Sequence, residues 1–206
     1  MSDTAPVMDL VGGPQGSGKS SVFPVADRGH DAFNVDAHRR ALNGGVSQNI
    51  PAAIREQATR DYTAFIEDHI AQRRSFSIEV TLAKEIRFEQ AERARRAGFL
   101  VRLTFVATAL EECLRRVASR VQLGGHGVTA AVLKDTYAAS MHNLPRALAA
   151  FDLVQVYDNS LPASPTQSQS STAPLVLETL HGRTTVASES PPVWLRNALR
   201  GSAYAQ

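Results

Sequence analysis

The chain carries a single cysteine in 206 residues, Cys113. No intrachain disulfide can form, which agrees with a reducing compartment, and Cys113 itself reads as an ordinary helix residue. No stretch approaches the roughly 18 consecutive apolar residues that a membrane-spanning helix requires. The opening MSDTAPVMDL lacks the basic and apolar segments of a secretory signal, so the expected compartment is the cytoplasm. Net charge is only +2, from 22 Lys+Arg against 20 Asp+Glu, short of the basic excess usual in proteins that hold nucleic acid nonspecifically. Aromatic residues make up 6% of the chain, few for base-stacking platforms. There is no internal repeat, and His126 has no neighbour at metal-ligand spacing. What remains is an ordinary globular composition, 43% hydrophobic and 20% charged, long enough for one domain.

The first positive signal is LVGGPQGSGKSS at residues 10–21. Gly13, Pro14, Gln15, Gly16, Ser17, Gly18, Lys19 and Ser20 satisfy G-x-x-x-x-G-K-[ST] in full, followed by Ser21. The apolar run Val7–Val11 before it predicts a buried strand, and Lys19 to Val25 predicts a helix that Pro24 shortens or perturbs. That strand-to-helix setting is the one a phosphate-binding loop needs: glycines let backbone N–H groups surround phosphate oxygens, Lys19 reaches the β- and γ-phosphates, and the Ser20 hydroxyl ligates Mg²⁺.

Further strands are predicted at DAFNVD (31–36, ending at Asp36), SFSIEVTLA (75–83), FLVRLTFVAT (99–108) and DLVQVYDNS (152–160). Helices are predicted between them, over 50–72, 84–98 (stopping at Gly98), ALEECLRRVASRV from 109, and TAAVLKDTYAASMHNLPRALAAF from 129. This alternation predicts an α/β fold of the P-loop kinase type, a mainly parallel sheet with helices on both faces and a helical lid. Its ligands are expected outside the carboxyl ends of the strands. The expected division is a core over 1–160 with a lid around 113–137. Residues 161–206 then supply a Ser/Pro/Thr/Gln-rich flexible loop (161–174), a hairpin turning at His181-Gly182 and a terminal helix after Pro191-Pro192, packed on the same domain.

Several side chains fall at expected strand ends. Asp36 could accept a proton from a hydroxyl attacking the γ-phosphate, hold Mg²⁺ through water, or cap the helix containing His38 and Arg39. Glu79 and Thr81, two apart on one strand, share a face and suit a polar ligand, although a satisfied buried network would look the same. Arg116 and Arg120, four apart on a helix, share a face and could stabilise a transferring phosphoryl group from a mobile lid whose turn is Gly124-Gly125-His126-Gly127; a solvated face is the alternative.

The ordered set of the phosphate loop, NVDAHR (34–39), FSIEVTLA (76–83), RVASRVQLGGHGV (116–128), NLPRAL (143–148) and YDNS (157–160) resembles the zeta toxin family of P-loop kinases, in its short bacterial branch, over roughly residues 5–160. The resemblance implies a kinase using ATP or GTP with Mg²⁺ to phosphorylate a hydroxyl of a nucleotide sugar such as UDP-N-acetylglucosamine, with an antitoxin protein as a possible partner. It implies Lys19 and Ser20 for donor phosphates and metal, and Asp36 as general base. Glu79 and Thr81 are implied in the acceptor- or metal-facing wall, with Arg39 beside Asp36 on the acceptor side, and Arg120 or Arg116 among the arginines that clamp the phosphates from the lid. The chain departs from the family's R-R-Y triplet after the lid turn, reading Lys134-Asp135-Thr136-Tyr137 instead. Lysine cannot reproduce the bidentate guanidinium fork.

Overall fold

The computed structural model describes residues 4–123, 125, 127–160 and 173–205. The middle one of the parallel strands is β1 (Val7–Gly12), buried along nearly its whole length. It pairs in parallel with β3 (Phe76–Val80) on one side and β4 (Leu100–Ala107) on the other. A strand covered on both faces can be almost continuously apolar, as Val-Met-Asp-Leu-Val and Leu-Val-Arg-Leu-Thr-Phe-Val are. Outside these lie β2 (Asp31–Phe33) and β5 (Leu153–Asp158), both parallel, giving five parallel strands. The antiparallel β6 (Leu175–Leu180) and β7 (Arg183–Ala187) complete the order β2-β3-β1-β4-β5-β6-β7. The parallel α/β architecture expected from the sequence is present, and the hairpin turns where predicted, with His181 at φ 47° and Gly182 at φ 73°.

The helices are α1 (Lys19–Val22), α2 (Val35–Leu42), α3 (Ala52–Ala71), α4 (Ile86–Arg96), α5 (Leu110–Gln122), α6 (Ala130–Ala150) and α7 (Val193–Leu199), with a 3₁₀ turn at Val25–Arg28. Tyr62 and Ile66 of α3, Leu144 and Leu148 of α6, and Trp194 and Leu195 of α7 join sheet residues such as Leu10, Ile78, Phe105 and Val156 in one core. The terminal hairpin and α7 therefore pack on the same core as the parallel strands. A smaller cluster of Cys113, Val117 and Leu133 ties α5 to α6.

As expected from Pro24, the helix from Lys19 makes one turn only. Two boundaries differ from expectation. The second strand stops at Phe33, because Asn34 caps a helix that starts at Val35 and contains Asp36 in its first turn. The third stops at Val80, and the chain turns at Leu82, φ 60°. Of the expected flexible loop, residues 161–172 lie outside the described residues, as do Gly124 and His126 of the expected lid turn. No helix among the described residues is long and apolar enough to cross a membrane.

Candidate nucleotide site

At the carboxyl end of β1 the chain enters the glycine loop. Gly13 sits at φ 135°, and a Cβ there would lie 2.0 Å from the Val106 carbonyl oxygen; Gly16 sits at φ 80° against the backbone of Cys113 on α5. Both positions combine a backbone conformation that L side chains avoid with no room for one. Ser17 N–H donates to Pro14 O (3.3 Å), closing the loop on itself. Lys19 is 6% exposed, and its ammonium donates to the same Pro14 carbonyl at 3.1 Å. Burial pulls the Lys19 ammonium below its ordinary value, opposed by the nearby carboxylates of Glu79 and Asp36. Ser17 Oγ and Gln15 Oε1 are buried with no hydrogen-bond partner among the described residues. A cramped loop with an almost dry ammonium and an unpaired buried hydroxyl suits an anion that would engage both.

The loop is braced from outside by residues that motif spacing does not reveal. Asn159, just past β5, donates through Nδ2 to Ser17 O at 2.8 Å. Arg116 donates to the carbonyls of Ser17 (3.4 Å) and Asn159 (2.8 Å) and to Glu112 Oε1 (2.6 Å). Beneath the loop, the buried Asp9 carboxylate takes a fork of hydrogen bonds from Arg28 (3.0 and 3.3 Å), which also reaches Thr104. Burial raises the Cys113 thiol to about 11, which leaves it protonated and inert, as expected of a plain core residue.

Glu79 lies across from the loop. Its Oε2 accepts from Ser20 Oγ at 2.7 Å and from Asn34 Nδ2 at 2.9 Å. Asn34 Oδ1 in turn accepts the backbone N–H groups of Asp36 and Ala37, both at 3.0 Å. Asp36 is thus neither a strand end nor a cap; its carboxylate stands on the first turn of α2, paired with Arg39 at 3.2 Å. Gln15, Lys19, Ser20, Ser21, Asp36, Arg39, Glu79, Thr81, Arg116 and Arg120 all line one cavity of about 510 Å³. Thr81 lines it although it lies beyond its strand, and its carbonyl accepts from Ser140 of α6. Lys134 is exposed and does not line the cavity; Thr136 does, while Tyr137 donates to Thr108 O at 2.9 Å.

The cavity also holds residues missed by reading the sequence: Asn34, Thr59, Tyr62, Lys84 and Arg87. Thr59, Tyr62, Lys84 and Arg87 gave a weak signal because each is remote in sequence from the phosphate loop, whereas Asn34 stands two residues before Asp36 in NVDAHR. Tyr62 is 5% exposed, its hydroxyl has no partner among the described residues, and burial raises it to about 12. The Arg87 guanidinium stands 4.8 Å from the centre of the Tyr62 ring. The cavity therefore gathers Arg39, Lys84, Arg87 and the Tyr62 hydroxyl along with the phosphate loop, and Asp36 lies close enough to Lys19 to bear on its ammonium. Among the described residues no three His, Cys, Asp or Glu side chains gather to hold a metal. The pair of hard oxygens from Ser20 and Glu79 suits Mg²⁺, which keeps several waters and takes other ligands from nucleotide phosphates.

The AAA domain profile matches residues 8–141 of this chain. Among curated proteins, none matches in sequence. Solved structures do share the fold. A chain of the PezAT chromosomal toxin–antitoxin system of Streptococcus pneumoniae aligns over 84% of this chain and 77% of its own length, at 18% identity and TM-score 0.56. A chain of the AvrRxo1-ORF1:-ORF2 complex with ATP aligns over 89% of this chain, at 15% identity and TM-score 0.67; this chain spans 61% of that one. A chain of the Pnkp1/Rnl/Hen1 RNA repair complex aligns over 70%, at 18% identity and TM-score 0.53, with 48% of its own length covered.

Proposed function

This chain belongs to the AAA domain family of P-loop proteins, and on that footing we propose that it is a kinase transferring the γ-phosphate of ATP or GTP to a hydroxyl of a nucleotide sugar such as UDP-N-acetylglucosamine. The observation that carries the proposal is that the Asp36 carboxylate lines the same cavity as Lys19 and Ser20.

In this reaction the acceptor hydroxyl oxygen attacks the γ-phosphorus as its proton passes to a carboxylate oxygen of Asp36, and the bond from the γ-phosphorus to the β,γ-bridging oxygen breaks to release the nucleoside diphosphate. Arg39 orients Asp36 through the 3.2 Å ion pair. Lys19 leaves the Pro14 carbonyl for the β- and γ-phosphate oxygens, and Ser17 N–H and its neighbours hold the loop around them. Arg120 adds positive charge from α5, while Arg116 keeps the loop in shape through the carbonyls of Ser17 and Asn159. Ser20 and Glu79 would hold Mg²⁺, which neutralises phosphate charge when bound. Phosphoryl transfer asks little covalent chemistry of the protein, so positioning and electrostatics supply the catalysis.

The cations Arg39, Lys84 and Arg87 that line the cavity favour an acceptor carrying negative charge of its own, which supports a nucleotide sugar over a neutral one. The shared fold with chains of two-component complexes extends the proposal to a dedicated antitoxin-like protein partner. The test is incubation of the purified chain with ATP, Mg²⁺ and a panel of nucleotide sugars and 5′-hydroxyl oligonucleotides, with Asp36→Asn in parallel. A single added phosphate on one sugar nucleotide is expected, reduced by roughly 10²- to 10⁴-fold in Asp36→Asn with nucleotide binding retained. Phosphorylation of the oligonucleotides instead would refute the acceptor class, and equal rates in Asp36→Asn would refute the role of the base.

A further inference from the structure

Asn34 uses both ends of its amide. The strand β2 ends at Phe33 and α2 begins at Val35, so Asn34 alone is the junction between them. Its Oδ1 accepts the N–H groups of Asp36 and Ala37 at 3.0 Å, the work of an N-cap. Its Nδ2 donates to Glu79 Oε2 at 2.9 Å, on the oxygen that also accepts from Ser20 Oγ at 2.7 Å. The amide orientation follows from its partners, since a carboxylate can only accept and a backbone N–H can only donate. Were Asn34 only a cap, Ser or Asp would serve as well. Among the good capping residues, asparagine alone combines the cap acceptor with an N–H donor able to reach a carboxylate.

We propose that Asn34 is a positioning residue that fixes Glu79 against the Ser20 hydroxyl and, through the same side chain, fixes the first turn of α2 that presents Asp36. The inference rests on the kinase reading of this site for the role of Asp36, but its first half concerns the phosphate-loop side alone. Donation from Asn34 holds Oε2 toward Ser20. Without it Glu79 Oε2 keeps only its hydrogen bond from Ser20 and is free to turn away, and the oxygen pair that suits Mg²⁺ is lost. Groups of this kind, one step behind metal-facing oxygens, typically change metal affinity or activity ten- to a hundredfold when removed.

The test compares Asn34→Ser and Asn34→Asp with the wild type, and with Asn34→Ala as the variant that loses the cap. Binding of a fluorescent ATP analogue is titrated with and without Mg²⁺, and unfolding midpoints are recorded alongside. Asn34→Ser is expected to keep the cap, to unfold near the wild type and to bind the analogue as the wild type does without Mg²⁺, whereas Asn34→Asp sets a second carboxylate against Glu79 and is expected to unfold earlier. The strengthening of binding by Mg²⁺ is expected to fall roughly ten- to a hundredfold in both. With UDP-N-acetylglucosamine as acceptor, kcat should fall while the acceptor KM stays within about twofold. Wild-type Mg²⁺ dependence in Asn34→Ser and Asn34→Asp, or no Mg²⁺ dependence in the wild type, overturns the inference. Lost Mg²⁺ dependence in the variants, with no acceptor phosphorylated by the wild type, supports the positioning of Glu79 and refutes the kinase reading instead.

Discussion

Replacing Gly16 with alanine separates two costs that glycine avoids in the phosphate loop. The residue has φ 80°, and an added Cβ would stand 2.6 Å from the carbonyl oxygen and 3.0 Å from the Cα of Cys113, both backbone atoms of α5. The left-handed conformation costs a non-glycine residue about 1–2 kcal/mol. Forcing the loop and α5 apart by several tenths of an ångström adds about 1–3 kcal/mol, as overpacking does elsewhere. Gly44 supplies the control, since it has φ 64° and nothing within 4 Å of its Cβ position. Gly44→Ala should therefore cost only the conformational part. In a domain of this size each kcal/mol moves the unfolding midpoint by about 2–4 °C, so Gly16→Ala is expected to melt roughly 10 °C below wild type and Gly44→Ala roughly 4 °C below. Urea titration of the three proteins gives the difference directly, and nucleotide affinity should fall only in Gly16→Ala. Equal losses in the two variants would refute the claim that α5 forms a rigid wall behind the loop.

Three further outcomes follow from the site. Burial holds the Lys19 ammonium below its ordinary 10.5, so the unfolded chain binds that proton more strongly and stability from this group rises with pH up to 10.5. Lys19→Met should accordingly leave the nucleotide-free protein as stable as wild type or more so, by up to about 4 kcal/mol, while ATP no longer raises its melting point; a clear loss of stability would contradict a buried charge that is costly at rest. Arg28→Met strands the Asp9 carboxylate, 1% exposed, at about 3–5 kcal/mol, and Asp9→Leu in the same chain should recover most of it by urea denaturation. A single-variant loss under about 1 kcal/mol would show that Asp9 finds another partner. The guanidinium groups of Arg115 and Arg116 hold the Glu112 carboxyl down to about 2 from 4.5. Its contribution is present above about pH 4.5 and lost as pH falls toward 2, so acid titration of Glu112→Gln should lack that part of the wild-type slope, and superimposable curves would count against the pairing.

The parts of this site that were legible in the sequence are those fixed by local chemistry. The glycine spacing of the phosphate loop dictates a turn that only one backbone path satisfies, and Arg116 and Arg120 share a cavity because they are four apart on one helix. The hairpin at His181-Gly182 was readable for the same reason, since both residues tolerate positive φ. Contacts set by topology were not legible. That Asn159 and Arg116 both donate to the Ser17 carbonyl depends on β5 lying next to β4, and β4 next to β1. Lys84, Arg87 and Tyr62 converge only because α3 and the chain after β3 flank the same strand end.

The misplacement of Asp36 is different, because its signal was present. Asn34 before V-D-A-H-R-R is a capping residue followed by a helix-forming run with an acid in its first turn, whereas reading Asp36 as a strand end let the β-forming Ala-Phe and Val dominate. The distinction changes the chemistry. At a strand end, Asp36 would project from the sheet with its height set by the backbone of an edge strand only three residues long. On the first turn of α2 its backbone N–H is held by Asn34, and Asn34 is held by Glu79, which contacts Ser20. The Asp36 carboxylate is thus referenced to the phosphate loop through three consecutive hydrogen bonds. For the kinase proposed above, the order that would align an attacking hydroxyl with a γ-phosphate is built through side chains, and the short edge strand has only to deliver Asn34 to its place.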